Sequence, residues 1–325
     1  MKILVTGGAG YIGSTACTAL IKAGHTPIIL DSLVTGNKAF LKNRTHYIGD
    51  ISDYSLVSKI IKEHDIKVCI HFAARIKVEE SVSEPFLYYR ENVSKSIALF
   101  EILKMNGVKN VVFSSSAAIY DAAEDFKVTE ESKLAPSSPY SKTKMMMEIA
   151  LEDFTDENFK AISLRYFNLI GACVDGFSGP FVDDPSHLLG RLILATRTDS
   201  EFNLFGTDWE TRDGTTIRDY IHVQDLVTAH ILALEKFEEI TKEKNYEIIN
   251  LGAGNGITTK EFVEAFIKIN GPIKVKNAGR RAGDVVGAYT DCTKAEKILG
   301  FKPIYSIEQG IRDALNWEKI KERKN

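Results

Sequence analysis

A regular alternation of short apolar runs and helix-length segments in the first half of the chain most strongly constrains the fold. The apolar runs are KILVTGG, TPIILD, THYIGD, KVCIHFAA, NVVFSSS and KAISLRYF. Segments such as 52–64, 85–106 and 140–153 lie between them and are long enough for helices. Because right-handed crossovers place helices on both faces of a parallel sheet, this pattern predicts an α/β fold with a Rossmann-type doubly wound parallel sheet.

The rhythm changes after about residue 168, where NLIGACVDGFSGPFVDDPSH predicts a long ordered loop at the ligand-binding edge of the sheet. With 325 residues, 44% of them apolar, the chain can form about two domains of ~150 residues. We expect a Rossmann domain at 1–167, joined by about 215–250, and a smaller C-terminal α/β domain at 168–325, interleaved with the first. In the C-terminal third, the pattern predicts a strand at NYEIINLGA and helices near 259–269, 293–299 and 306–320.

Charge and cysteine content argue against several kinds of partner. The formal net charge is −3, so we expect a small-molecule partner and neither nucleic acid nor an anionic membrane. Four scattered cysteines lack metal-ligand spacing, which predicts no metal site and a reducing, cytoplasmic environment. The start MKILVTG is strand-like rather than a signal peptide. No apolar run approaches the ~20 residues of a membrane span.

The turn VTGGAGYIGS at 5–14 follows the first predicted strand and carries Gly8, Gly10 and Gly13 in G-x-G-x-x-G order. These glycines allow a tight turn and close approach of a pyrophosphate, which the following helix N-terminus stabilises. Alone, the pattern fits an ordinary glycine-rich turn equally well. However, a helical pattern follows it, and Asp31 ends the second strand. A carboxylate there can bind the adenosine ribose and repels a 2′-phosphate, so we predict NAD as the cofactor.

The stretch SPYSKTK at 138–144 begins with a helix-start signal, a capping serine followed by proline. Tyr140 and Lys144 then lie one turn apart on the same helix face. A free tyrosine titrates near pH ~10, and the lysine and a positive nicotinamide ring would both lower its pKa. Because a dinucleotide-binding glycine motif precedes it in the sequence, this pattern predicts that Tyr140 and Lys144 form an acid–base pair. Among the serines that follow NVVF, Ser116 is the expected partner of the reacting hydroxyl.

Ten motifs run along nearly the whole chain: GGAGYIGS, IHFAA, ESV, YYRENV, FSSSAAIY, SPYSKTK, LRYFNLIGA, DGTTIRDYIHVQDL, INLGAGNG and RRAGDV. With them the chain resembles the extended short-chain dehydrogenase/reductase family and, within it, the UDP-glucose 4-epimerases (UDP-galactose 4-epimerases). The resemblance implies reversible C4 epimerisation of UDP-glucose and UDP-galactose through a transient 4-keto sugar, with tightly bound NAD as hydride carrier. It also implies an NAD-binding first domain, a UDP-sugar-binding second domain and a homodimer formed through the helices near 85–106 and 140–153.

Residue pattern and resemblance together give the candidate site. Its catalytic residues are Tyr140, Lys144 and Ser116. Its cofactor-binding residues are Gly7, Gly10, Tyr11, Ile12, Gly13, Asp31, Asp50, Ile51, Phe72, Ala73, Ala74, Asn92, Ser114, Tyr140, Lys144 and Tyr166. Its substrate-binding residues are Ser116, Tyr140, Asn168, His187, Arg218, Arg281, Asp284 and Ala288. The arginines suit a diphosphate because the guanidinium fork donates two hydrogen bonds to it.

Three positions depart from the family pattern. Ile76 stands in RIKVEES where the family's LKAVGES implies a lysine contact. His187 replaces a frequent asparagine, and it either donates a similar bond to the diphosphate or caps a helix. Ala288 is smaller than the residue that is frequent there. Space beside the sugar C2 would follow, so we hypothesise that UDP-GlcNAc and UDP-GalNAc are also substrates.

Two other kinds of function stay open. A sugar-nucleotide 4,6-dehydratase or a UDP-sugar decarboxylase tends to need a carboxylate beside the serine, whereas Ala117 and Ala118 follow Ser116. A non-catalytic NAD-binding sensor would be marked by loss of Tyr140 or Lys144, and both are present.

Overall fold

The computed structural model describes residues 1–121, 125–281 and 284–324. Its strands are β1 (Lys2–Thr6), β2 (Thr26–Asp31), β3 (His46–Ile48), β4 (Val68–His71), β5 (Asn110–Ser114), β6 (Lys127–Val128), β7 (Lys160–Tyr166), β8 (Asn168–Ile170), β9 (Phe202–Phe205), β10 (Ile217–Arg218), β11 (Tyr220–His222), β12 (Tyr246–Leu251), β13 (Ile257–Thr258), β14 (Val275–Ala278) and β15 (Gly287–Thr290).

The α-helices are α1 (Tyr11–Lys22), α2 (Tyr54–His64), α3 (Val78–Ser83), α4 (Pro85–Tyr88), α5 (Lys95–Met105), α6 (Pro139–Phe154), α7 (Leu188–Thr198), α8 (Val223–Glu235), α9 (Phe237–Ile240), α10 (Thr259–Asn270), α11 (Thr293–Leu299) and α12 (Ile307–Lys324). Short 3₁₀ turns span Lys38–Leu41 and Ala117–Ile119, and a π-helical turn spans Tyr89–Ser94.

The central sheet contains seven parallel strands in the order β3-β2-β1-β4-β5-β7-β12. This confirms the predicted α/β fold with a doubly wound parallel sheet. The order reverses next to β1, because β2 and β3 lie on one side of it and β4 and β5 on the other. Ligands of such sheets bind beyond the carboxyl ends of the strands at this reversal. The glycine turn leaves β1 at that point.

Helices cover both faces of the central sheet. In β1, Ile3 and Val5 belong to one apolar cluster and Leu4 to the other, as the two-residue period of a strand requires. The first cluster includes side chains of α1 and α8, and the second those of α2, α5 and α6. Burial on both faces fixes the strand ends that carry the candidate site.

A second group of strands lies outside the central sheet, and all of them except β6 follow β7 in the sequence. It contains a four-stranded sheet, β13-β10-β15-β6, and the pairs β8–β11 and β9–β14. An apolar cluster with side chains of α7, α10 and α12 supports it. The strand β6 belongs to the segment between Ser116 and Tyr140, and it pairs with β15. The chain between two predicted catalytic residues therefore joins the sheet that carries Ala288.

Two stretches differ from their predicted local structure. The single helix expected at 85–106 is divided into α4, the π-helical turn and α5. The stretch expected to be a loop after residue 168 begins with β8, which pairs with the later strand β11. In the parts of the chain that the structure describes, no helix combines the length and apolarity needed to cross a bilayer.

Candidate active site

The glycine turn between β1 and α1 depends on contacts that a side chain would block. Gly7 has a φ of +72°, and a Cβ there would lie 2.7 Å from the backbone nitrogen of Ala73. The Gly10 N–H donates to the Gly7 carbonyl at 3.0 Å and closes the turn. Gly13 packs so closely on the same carbonyl that a Cβ would collide with it. The turn therefore leaves the α1 N-terminus accessible to an anion.

Asp31 ends β2 beside this turn, and its side chain is buried. One carboxylate oxygen accepts the Ala9 N–H at 2.9 Å and the other accepts the Leu33 N–H at 2.8 Å. Each oxygen retains a further lone pair that can accept a ribose hydroxyl. The open glycine turn and the adjacent carboxylate together fit the pyrophosphate and adenosine ribose of NAD.

Phe72, Ala73 and Ala74 follow β4 on the opposite side of the strand reversal. The Phe72 ring packs against the His230 ring with centroids 5.0 Å apart. Because the Ala73 backbone contacts Gly7, the three residues border the same crevice as the glycine turn.

Asn92 is buried in the π-helical turn, and protein groups already satisfy its side chain. Its amide oxygen accepts the Arg75 N–H at 2.8 Å, and its amide nitrogen donates to the Arg75 carbonyl at 2.9 Å. The same nitrogen donates to Thr143 of α6 at 3.2 Å. Asn92 therefore holds the loop after Ala74 against the helix that carries Tyr140. Ile76, the departure from the family pattern, lies in this loop with its side chain exposed.

Tyr11 and Ile12 begin α1. The Tyr11 hydroxyl donates to the Gly171 carbonyl at 2.6 Å and, more weakly, to the Ile170 carbonyl at 3.2 Å. Ile12 packs on the apolar cluster beneath the sheet. These contacts fix the end of β8 against the helix that begins at the glycine turn.

Asp50 follows β3, and its carboxylate is already hydrogen-bonded within the protein. It accepts from the Ser52 N–H at 2.9 Å and from the Lys95 ammonium at 2.5 Å. Burial raises the pKa of Asp50, but the Lys95 and Ser52 bonds outweigh it, and the net pKa is lowered. Ile51 is buried in the core beside it. An adenine contact at Asp50 and Ile51 stays a prediction, and Lys95 was missed by the sequence analysis.

Tyr140, Lys144 and Ser116 meet at the carboxyl end of β5. The capping box that starts α6 places Tyr140 and Lys144 on one face, as predicted. The Ser116 hydroxyl lies beside the Tyr140 phenol and favours its ionised form. The Lys144 ammonium donates to the Ser114 carbonyl at 2.7 Å. The Ser114 hydroxyl in turn bonds the Tyr166 hydroxyl.

Among the protein groups, burial has the largest effect on the pKa of Tyr140. It raises that pKa, and the neighbouring Ser116 hydroxyl opposes this only partly. Burial also lowers the pKa of Lys144 to about 8, against the attraction of Glu148. Among the protein groups alone, desolvation therefore raises the pKa of Tyr140, and the predicted lowering, which includes the nicotinamide charge, stays a prediction. A lower pKa requires a further positive charge, such as the nicotinamide ring.

Arg218, Arg281 and Asp284 form a second cluster at the edge of the β10–β15 sheet. The Arg218 guanidinium donates to the carbonyls of Ile217 at 2.7 Å and Val286 at 2.8 Å. Arg281 pairs with Asp284 at 3.1 Å. The Arg218 guanidinium also donates to the carbonyl of Val285 at 3.1 Å, and because Val285 follows Asp284 the three groups lie close together. Ala282 and Gly283 of the RRAGDV motif lie outside the described residues.

An aromatic ring accompanies this cluster. The Arg281 guanidinium lies 4.9 Å from the centroid of the Phe205 ring. Phe205 ends β9, and nothing in its local sequence distinguishes it from a core phenylalanine. It was missed by the sequence analysis.

Asn168 and Ala288 adjoin this cluster through backbone pairing. Asn168 donates through both its backbone and its side-chain nitrogen to the Asp219 carbonyl at 3.1 Å. Ala288 lies opposite Arg218 in the β10–β15 pair. His187 lies at the start of α7, where its Nδ1 accepts the Gly190 N–H at 3.1 Å. Of the two roles considered for His187, the structure shows the helix cap, and donation to a diphosphate stays a prediction.

Two buried acids beside the site were also missed. Asp219 lies between β10 and β11 and accepts the N–H groups of Ala253, Gly254 and Thr290, so it joins this point to the loop after β12 and to β15. Burial raises its pKa to about 6. Glu148 pairs with Arg165 at 2.6 Å behind Lys144. Glu148 continues the four-residue spacing of Tyr140 and Lys144, which is the one local signal that indicates it. Within the described ranges, no cluster of His, Cys, Asp and Glu could hold a metal ion.

Known proteins share this sequence and fold. The profile of the NAD dependent epimerase/dehydratase family matches residues 3–252. The UDP-glucose 4-epimerase of Lactobacillus helveticus is 42% identical, covering 98% of this chain and 97% of its own length. The crystal structure of the UDP-glucose-4-epimerase from Stenotrophomonas maltophila with bound NAD and formylated UDP-arabinopyranose has a TM-score of 0.95 at 34% identity and full coverage of both chains.

A further solved structure, the UDP-Glc/GlcNAc 4-epimerase of Campylobacter jejuni, has a TM-score of 0.83 at 35% identity and covers 98% of this chain and 99% of its own. The similarity to the two solved structures covers the central sheet and the second group of strands. The chain therefore belongs to the NAD dependent epimerase/dehydratase family and, within it, to the group of the UDP-glucose 4-epimerases.

Proposed function

We propose that this protein catalyses the reversible C4 epimerisation of UDP-glucose and UDP-galactose with bound NAD. One observation carries the proposal: a lysine-supported tyrosine and a serine meet at the carboxyl end of β5, beside a glycine turn that fits a dinucleotide. Full-length similarity to UDP-glucose 4-epimerases supports it. When bound, NAD supplies a reversible hydride acceptor for C4 of the sugar.

The proton at O4 is the task of Tyr140 in this proposal. Its phenolate takes the proton as C4 is oxidised, and the resulting phenol returns it after the 4-keto sugar has turned about its bond to the diphosphate. Ser116 lies beside the phenol and can hold the reacting hydroxyl in line with it. Lys144 supplies a buried positive charge that favours the phenolate. Its contact with the Ser114 carbonyl keeps that charge in place.

UDP-binding is assigned to the second cluster. Arg218 and Arg281 can bind the diphosphate oxygens, and Asp284 can accept from the uridine ribose. The Phe205 ring beneath Arg281 offers a stacking surface for the uracil base. Asn168, hydrogen-bonded to the neighbouring Asp219 carbonyl, is assigned to the same nucleotide.

The proposal is tested by incubating purified protein with UDP-galactose, without added reductant, and following the sugar by proton NMR. The expected result is an equilibrium mixture of UDP-glucose and UDP-galactose. A 4-keto-6-deoxy sugar would identify a dehydratase, and loss of C6 as carbon dioxide a decarboxylase. Unchanged UDP-galactose in protein shown to bind NAD would favour the sensor. Ala117 and Ala118 form an apolar 3₁₀ turn after Ser116, which disfavours the dehydratase.

We propose that N-acetylated UDP-hexoses are also substrates. Ala288 presents only a methyl group beside Arg218, which leaves space for a C2 substituent. The similarity to a UDP-Glc/GlcNAc 4-epimerase supports this extension. Turnover of UDP-GlcNAc below about a thousandth of the UDP-galactose rate, a loss of about 4 kcal/mol, would exclude it. The matched variant Ala288→Leu is expected to lose UDP-GlcNAc turnover while retaining UDP-galactose turnover.

We propose a homodimer formed through α4, α5 and α6. Phe86, Ile97, Met146 and Ile149 are exposed apolar side chains on these helices, and a second copy would bury them. Sedimentation analysis of the wild-type protein and of Ile149→Asp tests this. We expect a dimer that the variant dissociates, and a wild-type monomer would contradict the proposal.

We further propose that the two domains bind different ligands. Residues 1–167 with about 215–250 would bind NAD, and 168–325 the UDP-sugar. Pairing of β12 with β7 supports this interleaved division. A cytoplasmic location is proposed as well, and the four free cysteines support it.

A further inference from the structure

We propose that Glu148, paired with Arg165, is a positioning residue that fixes the end of β5 against α6 and balances the charge behind Lys144. The inference rests on the proposed function, in which Tyr140 and Lys144 are the acid–base pair. Glu148 contacts neither NAD nor the UDP-sugar in the proposed mechanism. It acts through Ser115 and Lys144.

The Glu148 carboxylate is fully engaged and buried. One oxygen accepts the Ser115 hydroxyl and the Arg165 Nε at 2.9 Å. The other accepts the Arg165 Nη2 at 2.6 Å. This is the two-point geometry in which a guanidinium binds a carboxylate most strongly. The pair therefore locks α6 to β7 and to the residue that follows β5.

Ser115 connects the Glu148–Arg165 pair to the predicted catalytic residues. Its neighbour Ser114 provides the carbonyl that binds Lys144, and its other neighbour Ser116 carries the hydroxyl that lies beside Tyr140 and lowers its pKa. A rotation of the backbone at Ser115 would move both partners at once. The Glu148–Ser115 bond thus sets the position of the residues that follow β5 relative to the Tyr140 and Lys144 side chains.

Arg165 also contacts the segment between Ser116 and Tyr140, which runs from the central sheet to the four-stranded sheet. Its Nη1 donates to the Tyr120 hydroxyl at 2.7 Å, and Tyr120 donates to Asn250 of β12 at 2.7 Å. Tyr120 follows the 3₁₀ turn that begins after Ser116. The segment is therefore held on both sides of the predicted catalytic serine.

Glu148 also contributes charge. In the described structure, the titratable groups that influence Lys144 are Glu148 on its own helix and His71 on β4. His71 is buried between Thr6 and Ser96, which lie 2.6 and 3.0 Å from its ring nitrogens. Burial and Lys144 lower the pKa of His71 to about 3, so it stays neutral. From β7, Tyr166 faces Tyr140, and Arg165 faces Glu148. Removing the Glu148 charge leaves Arg165 as an uncompensated cation.

Three variants separate positioning from charge. Ser115→Ala removes only the hydroxyl contact and is expected to lower kcat about tenfold, with KM for UDP-galactose and the pH profile unchanged. Glu148→Gln is expected to lower kcat further and to shift the pH profile to lower pH, because the unpaired Arg165 cation disfavours protonated Lys144 and favours phenolate at Tyr140. In Glu148→Gln/Arg165→Met both charges are absent, so the profile is expected to return toward that of the wild type.

A second measurement does not depend on turnover. The ultraviolet absorbance of the Tyr140 phenolate, isolated by subtracting the titration of Tyr140→Phe, is expected to rise at lower pH in Glu148→Gln than in the wild type. Coincident Tyr140 titrations in the wild type and Glu148→Gln would overturn the inference. A wild-type kcat in Ser115→Ala would also overturn it, and that result does not depend on whether Glu148→Gln folds. If instead the wild type fails to epimerise UDP-galactose, the proposed function fails, and the absorbance titration still reports on the charge.

Discussion

Gly13→Ala is a sensitive probe of the proposed dinucleotide site. A Cβ at Gly13 would collide with the Gly7 carbonyl oxygen and lie 2.9 Å from both the Gly7 carbonyl carbon and the Gly8 Cα. Ordinary contact between carbon atoms begins near ~3.5 Å, so α1 and the turn must separate by at least about 0.6 Å. All three contacts are backbone atoms that cannot rotate away. Overpacking of this kind costs about 1–3 kcal/mol.

If the glycine turn must take up this strain when NAD binds, the strain is subtracted from the binding free energy. NAD affinity then falls about tenfold to a hundredfold, since about 1.4 kcal/mol is a factor of ten. Calorimetric titration of NAD into protein freed of nucleotide measures the change. Gly279→Ala is the matched control, because Gly279 has no heavy atom within 4 Å of its Cβ position, and its affinity should be unchanged. Equal NAD affinity in Gly13→Ala and Gly279→Ala would refute the proposed role of the turn.

Three further perturbations test other parts of the site. Asp31→Asn removes the charge that repels a 2′-phosphate, so the preference for NAD over NADP should fall about tenfold in comparative titrations; an unchanged preference would argue against Asp31 as the selecting group. Gly287→Ala places a Cβ into the Arg218 guanidinium at a φ of +108° and should weaken UDP binding at least tenfold by calorimetry, whereas wild-type affinity would remove Arg218 from the UDP site. Because the pKa of Lys144 is about 8, kcat should fall as pH rises through about 8 and the cation that favours phenolate is lost; a rate that is flat through that range would contradict the role of Lys144.

Patterns within one stretch of chain predicted much of the fold and of the candidate site. Alternating strands and helices, the glycine turn and the Ser-Pro start of α6 are local, and the structure has each of them. Asp31 lies beside the glycine turn because both follow neighbouring parallel strands. Such placement follows from topology alone.

Interactions between distant segments could not be predicted in the same way. Arg165 lies in a buried strand, and no local rule identifies Glu148 as its partner across β7 and α6. The raised pKa of Tyr140 depends on how deeply the phenol is buried, which is a property of the assembled core. The π-helical turn that directs Asn92 inward also has no sequence signature, since Tyr89–Ser94 reads as ordinary helix.

The central claim is that Tyr140 transfers the O4 proton during C4 inversion. It is tested most directly by the rate of UDP-galactose conversion in the wild type, Tyr140→Phe and Tyr246→Phe. Tyr246 is the matched control, because it is another tyrosine with one hydroxyl contact, to Ser163 at 2.7 Å. We predict that Tyr140→Phe lowers kcat by roughly 10²–10⁴-fold and that Tyr246→Phe stays near the wild-type rate. A Tyr140→Phe rate close to that of the wild type would contradict the account.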